Sequence, residues 1–419
     1  MGNPPAGRKS VKMKTLQAVE RLCGGAVCSV LGALSWLLPC GPVAADAVRR
    51  VLLVKFWGIG SLVLAAPLFN KTRETFPDAE IVLMTLSANQ GVVKMLPGID
   101  RVEFVDLGHS LASAVGAYLR CLVRAFRLRP DVMLDMEFYT KASAILSFFS
   151  RAPMRIGYHS PGVWRGRIHN HPIAFNVYWH VSSNFLSLLE PFGVAPDRTP
   201  RPAALLGLTR CRSQGQQVLA RLGLSAGGFI LVNVNAGELA VERRWPRERF
   251  AELSARLWQA YGLAVVYVGS RAEAQYTSQA WTLARKAGTQ GHNLVGGLSL
   301  DELVGLCALS ALVITNDSGP LHLAVAAGAR TVSFFGPETP VLYGPAGPEH
   351  LVLFAGIPCS PCINAEHGKR SFCWRGELHC QLGVGVQQAV EGIAGRFGPV
   401  LEQAGRAGQN GQPTAQDRG

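Results

Sequence analysis

Leu312-Val-Ile-Thr-Asn-Asp-Ser-Gly-Pro-Leu-His-Leu-Ala-Val-Ala-Ala-Gly328 reads as a buried apolar strand, a short polar turn, and a helix opening at Pro320. Ser318 and Gly319 sit where that helix would be capped, and proline is tolerated at a first helical position because its missing N–H has no partner there anyway. A junction of this kind aims free backbone N–H groups and the positive end of a helix dipole at one point, an arrangement suited to phosphate. Asp317 and His322 flank that point. An ordinary strand-to-helix turn with a capping serine would look the same, so the reading depends on the rest of the chain.

The front of the chain repeats the pattern. Val51-Leu-Leu-Val-Lys-Phe56 is a short apolar strand, Trp57-Gly-Ile-Gly-Ser61 a tight glycine turn, and Leu62–Phe69 the start of a helix. A dinucleotide site wants a third glycine and an acidic residue at the end of the next strand. Neither is clear here, which ranks a nicotinamide fold low. Two such turns, one in each half, suggest two Rossmann-like domains instead.

Bulk properties agree with that count. A chain of 419 residues with 48% hydrophobic content can build two cores. The net charge of +13 suits nucleic acid, anionic lipid or phosphorylated small molecules. No zinc finger, helix-turn-helix or RNA-binding-sheet signature is present, so nucleic acid is the least favoured. Six of the 10 cysteines, Cys121, Cys211 and Cys307 among them, are scattered as buried small hydrophobes usually are, which points to a reducing cytoplasm. Residues 1–50 carry seven Lys/Arg against Glu20 and Asp46, around an uncharged stretch from Leu22 to Ala45. That segment reads as a signal peptide, as a marginal membrane span, as a helix packed on its own protein or, preferred here, as an interfacial helix on an anionic leaflet.

Past residue 50 strand and helix alternate, which means parallel sheets covered on both faces. Strands are expected at Glu80–Thr85, Val102–Val105, Asp131–Asp135, Phe229–Asn233, Leu263–Val268 and Arg330–Phe335, and helices at Leu111–Arg127 and Arg247–Ala260. Ser299-Leu-Asp-Glu302 is a capping box. Pro196, Pro200 and Pro202 mark a break. The expected units are a basic, apolar helix over 1–48, a Rossmann-like acceptor domain over 49–205, a Rossmann-like nucleotide-sugar domain over 206–397, and a disordered tail over 398–419. Two doubly wound domains with a ligand cleft between the carboxyl ends of their strands make an α/β chain of the GT-B architecture.

With Lys55–Leu64, Arg155-Ile-Gly-Tyr158, Arg243-Arg-Trp-Pro246, Thr315–His322 and Phe335-Gly-Pro337 in view, the chain resembles glycosyltransferase family 9 over about residues 50–395. The best-known members are ADP-heptose:lipopolysaccharide heptosyltransferases. The resemblance implies that Asp317, Ser318, Gly319 and His322 contact the sugar and diphosphate of an ADP-sugar donor, and that Arg243 stands where the family has a lysine assisting at the diphosphate. The Ser318 and Gly319 N–H groups would hold phosphate oxygens that gain charge as the glycosidic bond breaks. Asn235, Ala236 and Gly237 should lie under the nucleotide beside Arg244, and Glu273 would take the ribose hydroxyls. Gly58, Gly60, Lys141, Arg155 and His159 fall on the acceptor side, where a basic cluster suits a lipid-anchored or phosphorylated glycan at the cytoplasmic face of the inner membrane. A plain surface patch would read identically.

One position departs from the family pattern. The aspartate that follows the second glycine, the family's base, is replaced by Ser61, and a serine hydroxyl takes no proton unaided at neutral pH. Asp135 and Glu137, at the end of the Asp131–Asp135 strand, are the carboxylates positioned to take over. Cys359, Cys362, Cys373 and Cys380 have loosely the spacing of a structural zinc site; catalysis itself is expected to need no cofactor. The readings carried forward are an inverting, metal-independent glycosyltransferase, a nucleotide-sugar-binding protein that has lost its base, and a transferase using a UDP- or GDP-sugar.

Overall fold

The computed structural model describes residues 13–108, 110–195, 197–198, 204–237, 241–363 and 373–410. The chain divides into two compact units at Arg201/Pro202. Pro196, Pro200 and Pro202 lie outside the described residues, as do 411–419.

The first unit is a six-stranded sheet of β1 (Arg50–Val54), β2 (Glu80–Leu86), β3 (Arg101–Val105), β4 (Val132–Asp135), β5 (Met154–His159) and β6 (His171–Ala174). Every pairing is parallel and the spatial order is β3-β2-β1-β4-β5-β6. Strands buried on both faces are largely apolar, which is why Val51–Val54 of β1 and Val132–Leu134 of β4 read as hydrophobic runs. The order reverses between β1 and β4, and Val54 stands opposite Asp135. The loops leaving these two strands therefore emerge side by side, at the place where open α/β sheets bind ligands. Four helices matter below: α1 (Met13–Leu34), α2 (Ile59–Leu64), α3 (Leu111–Leu128) and α4 (Lys141–Ser150).

Helix α1 lies against α4, with Cys28 buried beside Ala144 and Ile168. Glycines permit the approach: a Cβ on Gly32 would overlap the Gly166 carbonyl, and one on Gly24 would come 2.9 Å from Lys141 Cδ. One face of the N-terminal helix is thus packed on its own protein. Among the described residues no helix is long and apolar enough to cross a membrane.

The second unit repeats the plan with β7 (Phe229–Asn233), β8 (Ala264–Val268), β9 (Gly291–Asn293), β10 (Leu312–Asn316), β11 (Thr331–Phe335) and β12 (His350–Phe354), in the order β12-β11-β10-β7-β8-β9. Its reversal falls between β7 and β10, where Thr315 stands opposite Asn233. Helices α5 (Arg247–Tyr261) and α6 (Gly319–Ala326) flank that point, and α7 (Val386–Asn410) closes the chain.

Helix α7 corrects the expected disorder over residues 398–410. Val386, Ala389, Ile393, Phe397 and Leu401 recur at helical spacing and are buried in the core of this unit. Gly405 serves that packing, since a Cβ there would overlap the Tyr261 carbonyl.

Candidate functional site

In the first unit, the turn after β1 is held by a carboxylate from the end of β4. Glu137 Oε1 accepts hydrogen bonds from the backbone N–H of Phe56 (2.6 Å) and Trp57 (3.1 Å), and Oε2 lies 3.0 Å from Lys55 Nζ. The Lys55 and Glu137 side chains are 2% and 4% exposed, so this is a fully desolvated ion pair. Lys55 Nζ also lies 4.9 Å from the centre of the Phe138 ring. An ionised carboxylate offers about four acceptor positions, so the three bonds leave one on Oε2. Gly58 has φ +91°, a conformation that residues with side chains rarely adopt, and it opens α2, whose first turn holds buried Gly60 and half-buried Ser61.

Asp135 is tied up differently. Its Oδ1 accepts from the Glu137 N–H (3.0 Å), and Oδ2 accepts from Ser143 Oγ (2.8 Å) and from the Arg165 guanidinium, with His169 Nε2 at 3.2 Å. Burial alone raises this carboxyl, but the Arg165 charge, the His169 ring and the Glu137 N–H outweigh it and hold it at about 2. His169 is itself pushed down, by burial first and then by Arg165. Asp135 is therefore a permanent, fully paired anion that fixes the β4 loop, which corrects its expected catalytic role.

The acceptor-side residues separate. Arg155 is buried, and its guanidinium donates to the carbonyls of Ile168 (3.0 Å), Pro39 (3.0 Å) and Ala152 (2.6 Å). Those three backbone acceptors make it a structural anchor rather than an acceptor ligand. The stem of Lys141 lies under α1 at Gly24, and His159 stands exposed at the end of β5.

In the second unit the turns after β7 and β10 meet. Ser318 is the N-cap of α6, and its extended φ and ψ turn the chain so that the first helical N–H groups point outward. Asp317 Oδ2 lies 3.1 Å from Arg243 Nη1, while Arg243 Nη2 donates to the Ala236 carbonyl (2.8 Å). Asn316 Oδ1 accepts from the Trp245 N–H (2.8 Å), and Trp245 stacks on Phe334 at 4.0 Å. Together these contacts bind the 241–245 segment to the β10 turn. Asn233 Nδ2 donates to Thr315 Oγ1 (3.0 Å), and Asn235 Nδ2 donates to Thr277 Oγ1 (2.8 Å). Asn235 Oδ1 and Arg243 Nε are buried without a hydrogen-bond partner among the described residues. Two orphaned polar atoms of opposite kind, an acceptor and a cationic donor, beside a helix start are what a nucleotide diphosphate would satisfy.

Asp317, Ser318, Gly319, Asn235 and Arg243 are thus brought together, with His322 buried in the first turns of α6 and Gly237 at φ +73° on the rim. Arg244 is set apart, its guanidinium 4.6 Å from the centre of the Tyr276 ring. Glu273 closes a helix cap, its Oε2 accepting from Ser270 N (3.0 Å) and Ser270 Oγ (2.7 Å). Sequence reasoning missed Lys55 and Trp245 as parts of these sites. Lys55, the only charge in an otherwise apolar run, was a signal that something buried pairs with it.

Cys359, Cys362, Cys373 and Cys380 line one cavity of about 30 Å³ and form no disulfide. Burial, then the neighbouring thiols Cys359 and Cys373, push Cys362 up. Among the described residues no set of three or more His, Cys, Asp or Glu side chains is arranged to hold a metal.

Residues 121–371 match the family described as glycosyltransferase family 9 (heptosyltransferase). Lipopolysaccharide heptosyltransferase 2 of Salmonella typhimurium is 24% identical over 302 residues, which are 70% of this chain and 84% of that protein. Among solved structures, a family 9 glycosyltransferase from Veillonella parvula superposes with a TM-score of 0.67 at 20% identity, covering 86% of this chain and 99% of that one. The E. coli ADP-heptose lipopolysaccharide heptosyltransferase II superposes with a TM-score of 0.61 at 19% identity, covering 85% and 99%. With its two six-stranded parallel sheets of matching strand order and this family match, the chain belongs to glycosyltransferase family 9 and is a GT-B-fold glycosyltransferase.

Proposed function

We propose that the protein is an inverting, metal-independent transferase that moves heptose from ADP-heptose to a lipopolysaccharide-core acceptor at the cytoplasmic face of the inner membrane. The observation that carries the donor half is the pair of orphaned atoms, Asn235 Oδ1 and Arg243 Nε, beside the opening turn of α6. The names of the relatives supply the sugar and the acceptor class.

In this reading the diphosphate lies against the N–H groups of Ser318 and Gly319 and the Arg243 guanidinium, which Asp317 orients. The acceptor hydroxyl attacks the anomeric carbon from the side opposite the diphosphate. A carbon–oxygen bond forms, the bond to the β-phosphate oxygen breaks, and its electron pair leaves on ADP. Charge grows on the phosphate in the transition state, so groups already oriented toward it act mainly on kcat. The hydroxyl proton goes to Glu137 through the acceptor position left on Oε2, with Lys55 holding the carboxylate in place.

Ser61 favours a second reading, a protein that binds the nucleotide sugar without transferring it. Calorimetric titration with ADP-heptose, UDP-glucose and GDP-mannose tests the donor half. Tight binding of ADP-heptose alone supports it; preference for either other nucleotide sinks it. The cysteine cluster has donors that suit a structural zinc, although they are not gathered into a tetrahedral set. We propose that zinc site as well, and elemental analysis finding no zinc in protein purified under reducing conditions removes it.

A further inference from the structure

Helix α3 is apolar on two faces. Ala114, Ala117, Cys121, Leu122, Ala125 and Leu128 are buried against the sheet. Leu111, Val115, Leu119, Val123 and Phe126 are 41–56% exposed. At 100° per residue these five fall within one arc of about 120°. Arg127 and Arg120 lie just beyond one edge of that arc, Arg124 is farther round and pairs with Glu103 (3.6 Å), Arg129 follows at the C-cap, and the helix contains no Asp or Glu. The Arg151 guanidinium adds a further charge, 5.5 Å from the centre of the Phe126 ring.

Helix α4 lies between this row and α1. Tyr118 Oη of α3 donates to the Ala142 carbonyl (2.7 Å) on one side of α4, and Cys28 packs on Ala144 from the other element. Beyond α4 the chain exposes Val27, Val30 and Leu34, then Trp36 at 77% and Leu37 at 59%. Trp164 is half exposed and is pinned to this helix by its indole N–H on Ser29 Oγ (2.7 Å). All of these residues belong to the first unit.

We propose that the outer row of α3, together with the end of α1, is the face that docks on an anionic lipid bilayer. Leu111, Val115, Leu119, Val123 and Phe126 would enter the acyl boundary, the arginines would meet the headgroups, and Trp36 would sit at the interface. The charge pattern selects lipid over a second copy of the chain. A two-fold contact sets each patch against itself, and Arg120, Arg127, Arg129 and Arg151 would then face their own copies. Anionic headgroups are complementary to the same arginines. The assignment rests on the proposed location at the membrane and not on sugar transfer.

The test is sedimentation of the full-length protein with vesicles of phosphatidylcholine, with and without phosphatidylglycerol. Wild type should bind the anionic vesicles, more weakly as salt rises. Paired Leu119→Ser and Val123→Ser should weaken binding about 10-fold or more, as should paired Arg120→Glu and Arg127→Glu. Turnover on a detergent-solubilised acceptor should stay unchanged in both. Equal binding of wild type and variants, no binding by wild type, or a dimer that Leu119→Ser and Val123→Ser dissociate would each overturn the assignment. If vesicle binding follows this pattern but no sugar is ever transferred, only the catalytic reading fails.

Discussion

Glu137→Gln separates chemistry from structure at the β1 turn. The amide oxygen can still accept from the Phe56 and Trp57 N–H groups, but Lys55 loses its counter-charge in a site where both side chains are under 5% exposed. Removing one partner of a buried pair costs about 3–5 kcal/mol, and the retained amide bonds place this case near 3. For a unit of this size that is about 6–12 °C in Tm. Loss of a general base costs about 100- to 10,000-fold in kcat. Adding Lys55→Met removes the orphaned charge, so the double variant should recover most of the melting temperature. The assay is acceptor-dependent ADP release, read beside a thermal melt for both variants. The account expects the double variant to melt near wild type and remain inactive. Glu137→Gln that folds and turns over within about threefold of wild type refutes the base. Recovery of turnover together with Tm in the double variant would reduce Glu137 to a support for Lys55.

Three further outcomes are expected. Asp317→Ala leaves Arg243 Nη1 without its carboxylate and should weaken ADP binding about 10- to 100-fold by calorimetry, the worth of one charged hydrogen bond; unchanged affinity would place the diphosphate elsewhere. Gly32→Ala drives a Cβ into the Gly166 carbonyl and should cost about 1–3 kcal/mol in denaturant melts, with α1 becoming protease-sensitive. Burial holds His180 down at about 4, so between there and its unfolded value near 6.5 only the unfolded chain takes the proton and stability falls as pH falls. That loss is about 3 kcal/mol by pH 4, with Asp135 adding to it only below about 4, and Tm measured from pH 7 to 4 should follow it; a flat profile contradicts the burial of His180.

Much of the fold was legible because parallel strands buried on both faces leave unbroken apolar runs. Phe229–Asn233 is read to the residue, and the Leu312 strand, its turn and its helix are read in order. Strands β6 and β9, His171-Pro-Ile-Ala174 and Gly291-His-Asn293, lie at sheet edges and carry no such run, so they left no signal. The turn after β10 was legible because its signal lies in local backbone geometry. Roles set by contacts distant in sequence were not: Arg155 reaching Pro39, Asp135 meeting Arg165, and Glu137 meeting Lys55 are pairings that charge alone cannot reveal. Glu273 also carried a local signal that went unread, since a carboxylate three residues after Ser270 is itself a capping-box pattern. The tail was misjudged by composition, because the apolar spacing from Val386 to Leu401 outweighs its glycines.

The most direct test of the central claim is ADP release from ADP-heptose by the purified full-length protein, with and without a heptose-deficient lipopolysaccharide-core acceptor, beside Asp317→Ala. The account predicts release that requires the acceptor and falls at least about 10-fold in the variant. Tight ADP-heptose binding with no acceptor-dependent release would contradict transfer and leave a nucleotide-sugar-binding protein.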